Sequence, residues 1–127
     1  MAHILLADDN LNLLEDITHE LELSNYTVTQ AVNGRDLFDK LRKISALPDL
    51  IIVDLVLGDV DSMDLLDCLK KSEWRHIPMI FLCPFNAPDK LLTYVRSQAD
   101  EHLIKPFQIG QIMHLIAERL ADSTPLM

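Results

Sequence analysis

The length of 127 residues allows one domain with a single buried core and is too short for a second folded unit. Hydrophobic residues make up 49% of the chain, which excludes a disordered or fibrous protein. The formal net charge of −9, without a local basic cluster to neutralise phosphates, argues against nucleic-acid binding. Apolar runs such as Leu50–Val53 and Met79–Leu82 are far shorter than the ~20 residues of a membrane span, and no leader pattern opens the chain. We therefore expect a cytoplasmic protein without membrane or nucleic-acid partners.

The first half of the chain alternates between short apolar runs and stretches of helical periodicity. His3–Ala7 is an apolar run that stops at two aspartates, and Leu11–Leu23 carries apolar residues at helical spacing. This pattern predicts a strand, an acidic loop and a helix. Tyr26–Val32 is rich in β-branched residues and stops at an Asn-Gly pair, after which Asp36–Ile44 has one apolar helical face. A second strand and a second helix are predicted.

The second half repeats this alternation three times. Leu50–Val53 predicts a third strand, which is followed by an acidic loop and a helix from about Met63 to Ser72. Met79–Cys83 predicts a fourth strand before a helix over Asp89–Gln98. A short fifth strand, His102–Ile104, precedes the last helix, whose apolar residues at positions 109, 112, 113, 116 and 120 form the clearest amphipathic pattern in the chain.

Five strand-helix units in alternation predict an α/β fold, in which helices cover both faces of a parallel sheet. The strands are apolar runs without in/out alternation, as strands buried on both faces require. We expect one domain over residues 1–121. Residues 122–127 have lost the apolar stripe, and we expect them to form a C-terminal tail or the stump of a linker.

Polar residues follow the predicted strands at the point where each strand ends. Asp8 and Asp9 follow the first strand, Asp54 ends the third, Cys83 ends the fourth, and Lys105 follows the fifth. In open α/β sheets, ligands bind at the carboxyl ends of the strands, where the strand order reverses. If the order is 2-1-3-4-5, the first and third strands are neighbours at that point, and their three carboxylates converge on one crevice.

Three carboxylates in one crevice repel each other by roughly 4 kcal/mol per pair at about 4 Å, with an effective dielectric constant near 20. A divalent cation offsets this repulsion, and Mg²⁺ suits the crevice because it takes a few carboxylate or carbonyl oxygens and leaves room for a phosphate oxygen. Lys105 adds a compact positive charge suited to a phosphoryl group. A carboxylate flanked by Mg²⁺ and a lysine can accept a phosphoryl group as an acyl phosphate, so Asp54 is the predicted acceptor.

The pattern Asp8-Asp9, Asp54-Leu55 and Lys105-Pro106-Phe107, at the ends of the first, third and fifth strands, resembles the receiver domains of two-component response regulators. The resemblance covers residues 4–120. It implies a flavodoxin-like (βα)5 three-layer sandwich with strand order 2-1-3-4-5. It also implies a signalling module and not an enzyme, with a sensor histidine kinase or a histidine phosphotransfer protein as its phosphodonor.

The resemblance further assigns roles to single residues. Asp8, Asp9 and Asp54 would bind Mg²⁺ together with the backbone carbonyl of Val56. Asp54 would be phosphorylated, and Lys105 would contact the phosphoryl group. A downstream effector domain or protein is expected, and so is homodimerisation through the face of the fourth helix, fifth strand and fifth helix.

The sequence departs from the family at the ends of the fourth and fifth strands. The family has Thr or Ser, whose hydroxyl binds the phosphoryl group, where this chain has Cys83, and a thiol is a weak donor. The next residue, Pro84, has no N–H to donate. His102 stands at the family's switch aromatic, and the peptide bond before Pro106 is expected to be cis, as is common in the family. These departures predict a weakened switch and leave the acceptance chemistry intact.

Two functions of different classes are therefore open. The first is a phosphorylatable receiver, which the three carboxylates and Lys105 favour. The second is a phosphorylation-independent receiver-like module that binds partners through the same helix-strand-helix face, which Cys83 and Pro84 favour. A flavin-binding flavodoxin relative or a haloacid dehalogenase-type phosphatase fits worse, because the acidic loop after the first strand repels phosphate and lacks an Asp-x-Asp pair.

The remaining polar residues are given structural roles. We interpret Asp59, Asp61 and Asp64 as a solvated acidic loop. Cys68 and Cys83, without a CxxC motif or a nearby His pair, are expected to be reduced thiols.

Overall fold

The structure, a computed structural model, describes residues 1–98 and 100–122. In this part of the chain, five strands alternate with five α-helices, as predicted. The strands are β1 His3–Ala7, β2 Thr27–Ala31, β3 Leu50–Asp54, β4 Met79–Cys83 and β5 Glu101–Ile104. The helices are α1 Leu11–Leu23, α2 Gly34–Lys43, α3 Ser62–Lys70, α4 Asp89–Ser97 and α5 Ile109–Asp122, with a short 3₁₀ turn over Glu73–His76.

The strands form one parallel sheet in the order β2-β1-β3-β4-β5. Ala7 lies between Ala31 and Val53 in the register of the sheet, and Leu82 lies beside Asp54. The carboxyl ends of the strands therefore meet at one edge, and the strand order reverses between β1 and β3. This arrangement confirms the predicted α/β fold, a flavodoxin-like three-layer sandwich with strand order 2-1-3-4-5.

Two hydrophobic cores lie on opposite faces of the sheet because alternate strand residues point to opposite sides. On one face, residues such as Leu5, Ile51 and Phe81 pack against α2, α3 and α4. On the other face, residues such as Ile4 and Ile52 pack against α1 and α5. Each fully buried side chain of this size contributes about 1.5–3 kcal/mol. Burial on both sides explains why the inner strands are continuous apolar runs.

Several boundaries differ from the predicted ones. The second helix begins at Gly34 and not at Asp36, because Asn33 caps it by accepting a hydrogen bond from the Asp36 amide at 2.7 Å. The second strand loses one residue at each end of the predicted 26–32, and the third helix ends at Lys70 and not at 72. The last helix reaches Asp122, which includes the first residue of the predicted tail. Residues 123–127 lie outside the described residues, so the domain boundary stays a prediction.

The described residues form five α-helices and one short 3₁₀ turn. None of them is both long enough and apolar enough to cross a membrane.

Candidate functional site

Three carboxylates converge at the carboxyl edge of the sheet. Asp8 and Asp9 follow β1, and Asp54 is the last residue of β3, the neighbouring strand. One oxygen of each carboxylate lies within 4.8 Å of the other two. Asp8 is fully buried and Asp54 is 4% exposed, whereas Asp9 is exposed. The cluster is therefore buried at its base and open to solvent on the Asp9 side.

Lys105 joins the two buried carboxylates. Its Nζ lies 2.9 Å from Oδ2 of Asp8 and 3.0 Å from Oδ2 of Asp54. The backbone of Lys105 is held beside β4, because its amide donates to the carbonyl of Cys83 at 2.8 Å. Since β4 lies between β5 and β3, only a long side chain can reach the acids from this position. The lysine is 25% exposed, so the pair of ion pairs is largely shielded from water.

The other oxygen of each buried carboxylate accepts a backbone hydrogen bond from the loop that follows its strand. Oδ1 of Asp8 accepts from the amide of Asn10 at 2.9 Å, and Oδ1 of Asp54 accepts from the amide of Val56 at 2.9 Å. Aspartate commonly bonds the backbone two residues on, in Asx turns. Both carboxylates are therefore oriented by an amide on one side and by Lys105 on the other.

The electrostatics of the crevice follow from burial and from the excess of acids. Burial raises the pKa of Asp54 to about 6; the charge of Asp8 adds to this increase, while the Val56 amide and Lys105 oppose it. Burial by itself lowers the pKa of Lys105, but its hydrogen bonds to Asp8 and Asp54 outweigh burial and raise that pKa above its ordinary value. Lys105 is therefore charged at neutral pH, and its one positive charge is set against the three carboxylates of the cluster.

The donor set fits a hard divalent cation. All three ligand atoms are carboxylate oxygens within 4.8 Å of one another, and their combined charge exceeds that of the one lysine. Mg²⁺ binds through a few carboxylates and keeps several waters, which needs a site that is open on one side. The exposed side of the cluster at Asp9 provides that opening.

The end of β4 offers no strong hydrogen-bond donor to the crevice. Cys83 is fully buried, and burial raises the pKa of its thiol to about 11; the charge of Asp54 adds to this increase and that of Arg96 opposes it. The thiol is therefore protonated at neutral pH. Pro84 has no N–H, and its carbonyl accepts from the amide of Ala87 at 3.1 Å.

A cavity of about 340 Å³ opens beside the lysine of the crevice. Its walls are mostly apolar side chains contributed by α1 and by the loops after β4 and β5. The lining residues are Asn10, Leu13, Pro84, Phe85, Lys105, Pro106 and Phe107. Phe85 is 81% exposed, so an exposed aromatic ring lines this cavity. No sequence motif predicted it.

The other predicted site residues lie around this crevice. Val56 is 47% exposed in the loop after β3, one residue beyond the buried Leu55. The peptide bond between Lys105 and Pro106 is cis. His102 is partly buried in the middle of β5, where it pairs in register with Phe81, so it lies away from the carboxylate cluster.

The acidic loop after β3 is more structured than the sequence indicates. Asp61 caps α3, where its carboxylate accepts from the amide of Met63 at 2.9 Å. Asp59 accepts from the first two amides of α2. Asp59 and Asp61 are exposed, as the interpretation of a solvated loop predicts, but each also accepts hydrogen bonds from amides at a helix end, which that interpretation did not include. An aspartate directly before a predicted helix is a capping signal that could have identified Asp61. The residues next to Asp59 in the sequence give no such signal for its contact with α2.

A family model and curated relatives match most of this chain. The family model described as "Response regulator receiver domain" matches residues 4–117. The chain is 30% identical over 114 residues to the DNA-binding dual master transcriptional regulator RpaA of Synechocystis sp., covering 89% of this chain and 46% of RpaA. It is 29% identical over 113 residues to the response regulator ArlR of Staphylococcus aureus, covering 89% of this chain and 50% of ArlR. The chain thus spans about half the length of these curated relatives.

Solved structures show the same fold. The receiver domain of the Francisella response regulator 1452 superimposes with a TM-score of 0.83 at 22% identity, covering 98% of this chain and 100% of that one. The non-phosphorylated HemR receiver domain of Leptospira biflexa gives a TM-score of 0.81 at 26% identity, with 100% of both chains covered.

Proposed function

Because this chain belongs to the response regulator receiver domain family, we propose that it accepts a phosphoryl group on Asp54 in a Mg²⁺-dependent reaction, with a sensor histidine kinase or a histidine phosphotransfer protein as donor. The observation that carries the proposal is the position of Lys105, whose amine lies 2.9 Å from Asp8 and 3.0 Å from Asp54. A lysine held there can transfer its hydrogen bonds to an incoming phosphoryl oxygen.

The proposed reaction is a displacement at phosphorus. A carboxylate oxygen of Asp54 forms a new P–O bond while the P–N bond of the phosphohistidine breaks, and the imidazole nitrogen keeps the electron pair and takes up a proton. The Val56 amide holds Oδ1 of the acceptor, and Lys105 offsets charge on the transferring group. Asp8, Asp9, Asp54 and the carbonyl of Val56 would hold Mg²⁺, and the bound ion would supply the remaining neutralisation of the phosphoryl oxygens.

The conformational response to this reaction is proposed to be weak. A hydroxyl and a backbone N–H at the end of β4 would bind the phosphoryl group and draw the following loop inward. Cys83 offers a protonated thiol, which is a weak donor, and Pro84 offers no donor, so one such bond is weakened and the other is lost. His102 replaces the switch aromatic on β5 and is only partly buried. These residues favour a second candidate function, a phosphorylation-independent module that binds partners through the α4-β5-α5 face.

In either case the chain acts as a cytoplasmic signalling module that does not turn over a substrate of its own. We propose that a downstream effector domain or protein binds the α4-β5-α5 face, and that this face also supports homodimerisation. The lengths of RpaA and ArlR support an effector partner, since the matching region is about half of each relative.

Intact-mass analysis after incubation with acetyl phosphate tests the proposal. With Mg²⁺ the wild type is expected to gain one phosphoryl group, and hydroxylamine is expected to remove it because the product is an acyl phosphate. Asp54→Asn should gain none, whereas Asp64→Asn, which removes an exposed carboxylate on the first turn of α3, should label like the wild type. A wild type that stays unlabelled with and without Mg²⁺ would exclude the first function and leave the second.

A further inference from the structure

The loop that connects β3 to α3 is fastened to the beginning of α2. The carboxylate of Asp59 accepts from the amide of Gly34 at 2.8 Å on Oδ1 and from the amide of Arg35 at 3.0 Å on Oδ2. Amides in the first turn of a helix have no partner within that helix, so an oxygen from elsewhere has to satisfy them. The bonds from Arg35 and Gly34 hold the pKa of Asp59 below its ordinary value, as expected for a carboxylate fixed by two amides.

The contact between loop and helix is close as well as polar. A Cβ atom at Gly34 would lie 2.7 Å from Cγ1 of Val60 and 3.0 Å from Oδ1 of Asp59. Real Cβ atoms do not tolerate the shorter of these distances, so any side chain at Gly34 would displace the loop. The absence of a side chain therefore lets the loop lie directly against the helix end.

The same loop touches the carboxylate cluster at its other end. The Val56 amide donates to Asp54 at 2.9 Å. Gly58, at φ +82°, turns the chain beside Asp9, where a Cβ atom would lie 3.7 Å from the Asp9 carboxylate. Leu57 between them is 2% exposed and anchors the segment in the core. A short and anchored segment thus contacts Asp54, passes close to Asp9 and, through Asp59, contacts the first turn of α2.

We propose that Asp59 is a positioning residue that couples the cation site to the first turn of α2. This inference rests on the Mg²⁺ site of the proposed function. Occupancy of the cluster fixes the loop around Val56 and Gly58, and the fixed loop strengthens the two hydrogen bonds of Asp59. Coupling of this kind is reciprocal, so weakening those bonds lowers the affinity for Mg²⁺ by the same factor by which Mg²⁺ strengthens them.

The test compares Mg²⁺ affinity with amide hydrogen exchange in the uniformly ¹⁵N-labelled 127-residue chain. In the wild type, Mg²⁺ is expected to slow exchange at the amides of Gly34 and Arg35 by about fivefold. In Asp59→Ala these amides should exchange quickly, and their exchange rates should be the same with and without Mg²⁺. The Mg²⁺ dissociation constant should rise by about fivefold. Gly34→Ala keeps the carboxylate but displaces the loop, so it should weaken Mg²⁺ binding in the same direction.

The matched control is Asp64→Asn, which removes the same charge from the first turn of the following helix. It should leave the Mg²⁺ affinity and the exchange of the α2 amides as in the wild type, which separates the effect of the Asp59 hydrogen bonds from a general loss of negative charge. Two results would overturn the inference. The first is that exchange at the wild-type amides of Gly34 and Arg35 does not change with saturating Mg²⁺, and the second is that Asp59→Ala binds Mg²⁺ as tightly as the wild type. Either result leaves the proposed function standing if Asp54 is still phosphorylated. A wild type without any Mg²⁺ binding would overturn the proposed function together with the inference.

Discussion

Lys105 and Asp54, which are 51 residues apart in the chain, lie 3.0 Å apart at the carboxyl edge of the sheet. The same amine binds Asp8 at 2.9 Å, so one positive charge holds two buried carboxylates together. The crevice is therefore organised by an ion-pair network that spans three strands, and a phosphoryl group would have to enter it by sharing or replacing these bonds. Removing a residue of this network is therefore expected to change both the stability of the fold and the rate of phosphorylation.

Replacing Lys105 with Met is expected to destabilise the fold and to slow phosphorylation. Without the amine, two buried carboxylates face each other, which costs about 3 kcal/mol in Mg²⁺-free buffer. Urea unfolding measures this loss, and intact-mass analysis after acetyl phosphate treatment measures the rate of labelling. Lys90→Met, at an exposed position on α4, is the control and should change neither quantity. Labelling of Lys105→Met at the wild-type rate would show that the amine has no part in the transfer.

The double substitution Cys83→Thr with Pro84→Ala is expected to strengthen the conformational response to phosphorylation. It restores a hydroxyl and a backbone N–H beside Asp54, and a hydrogen bond to a charged group contributes about 1.5–3 kcal/mol. That energy corresponds to roughly a tenfold or greater rise in the population of the active state. Amide chemical shifts recorded with and without beryllofluoride, an acyl-phosphate mimic, measure the response.

The exposed cysteine provides the control for this experiment. Cys68→Thr makes the same chemical change on α3 and should leave the beryllofluoride response unaltered. Equal responses of the wild type and the double variant would mean that the end of β4 does not limit the switch.

The hydroxyl of Tyr94 ties α4 to α3 by donating to Asp67 at 2.6 Å. Burial together with this bond and the charge of Asp67 raises the pKa of Tyr94 to about 12. Because the folded-state pKa lies above the unfolded value of about 10, the contact stabilises the fold below pH ~10 and is lost as the pH rises through 12. In Asp67→Asn the pKa of Tyr94 should fall towards its ordinary value, which tyrosinate absorbance measures.

Tyr26 makes this titration readable, because the chain contains only two tyrosines. The absorbance of Tyr94→Phe gives the Tyr26 transition alone, and subtraction gives that of Tyr94. A Tyr94 midpoint that stays unchanged in Asp67→Asn would mean that burial alone sets it.

Much of the fold and of the crevice could be predicted because buried parallel strands leave a strong trace in sequence. Runs such as Leu50–Val53 are apolar throughout, and the polar residue that ends each run marks the carboxyl edge of the sheet. The alternation predicts a parallel sheet, and the family resemblance implies the strand order 2-1-3-4-5. With that order, the backbone alone brings Asp8, Asp54 and Lys105 to one edge of the sheet. Their convergence therefore needed no knowledge of side-chain conformation.

Contacts that depend on side-chain reach or on distant loops could not be predicted. A lysine has a flexible stem, so its position after β5 did not reveal that its amine binds Asp8 as well as Asp54. The two hydrogen bonds that Asp59 accepts join the loop after β3 to the first turn of α2, and this loop carries no periodic pattern. The exposure of Phe85 likewise follows from the path of a loop between two prolines, which propensities do not determine.

A buried ion pair at the opposite edge of the sheet is expected to affect stability without affecting phosphorylation. Lys70 and Asp100 lie 2.6 Å apart with side chains 11% and 9% exposed, and the other oxygen of Asp100 accepts from the amide of Met79 at 2.9 Å, where β4 begins. Asp100→Ala removes the carboxylate partner of the Lys70 amine, which then keeps only its 3.2 Å hydrogen bond to the Arg75 carbonyl. It also leaves the Met79 amide unpaired, so it should lower the free energy of unfolding by about 3 kcal/mol. Acetyl phosphate labelling of Asp54, at the far end of the strands, should keep its wild-type rate.

A double-mutant cycle in urea tests whether Lys70 and Asp100 stabilise the fold as a pair. Lys70→Met combined with Asp100→Asn should cost less than the sum of the two single substitutions, because neither residue is then left as an unpaired buried charge. Asp89→Asn, at an exposed position on the first turn of α4, controls for the loss of one negative charge and should be nearly neutral. Strictly additive losses would contradict the pairing, and slower labelling of Asp54 in Asp100→Ala would show that the two edges of the sheet are coupled.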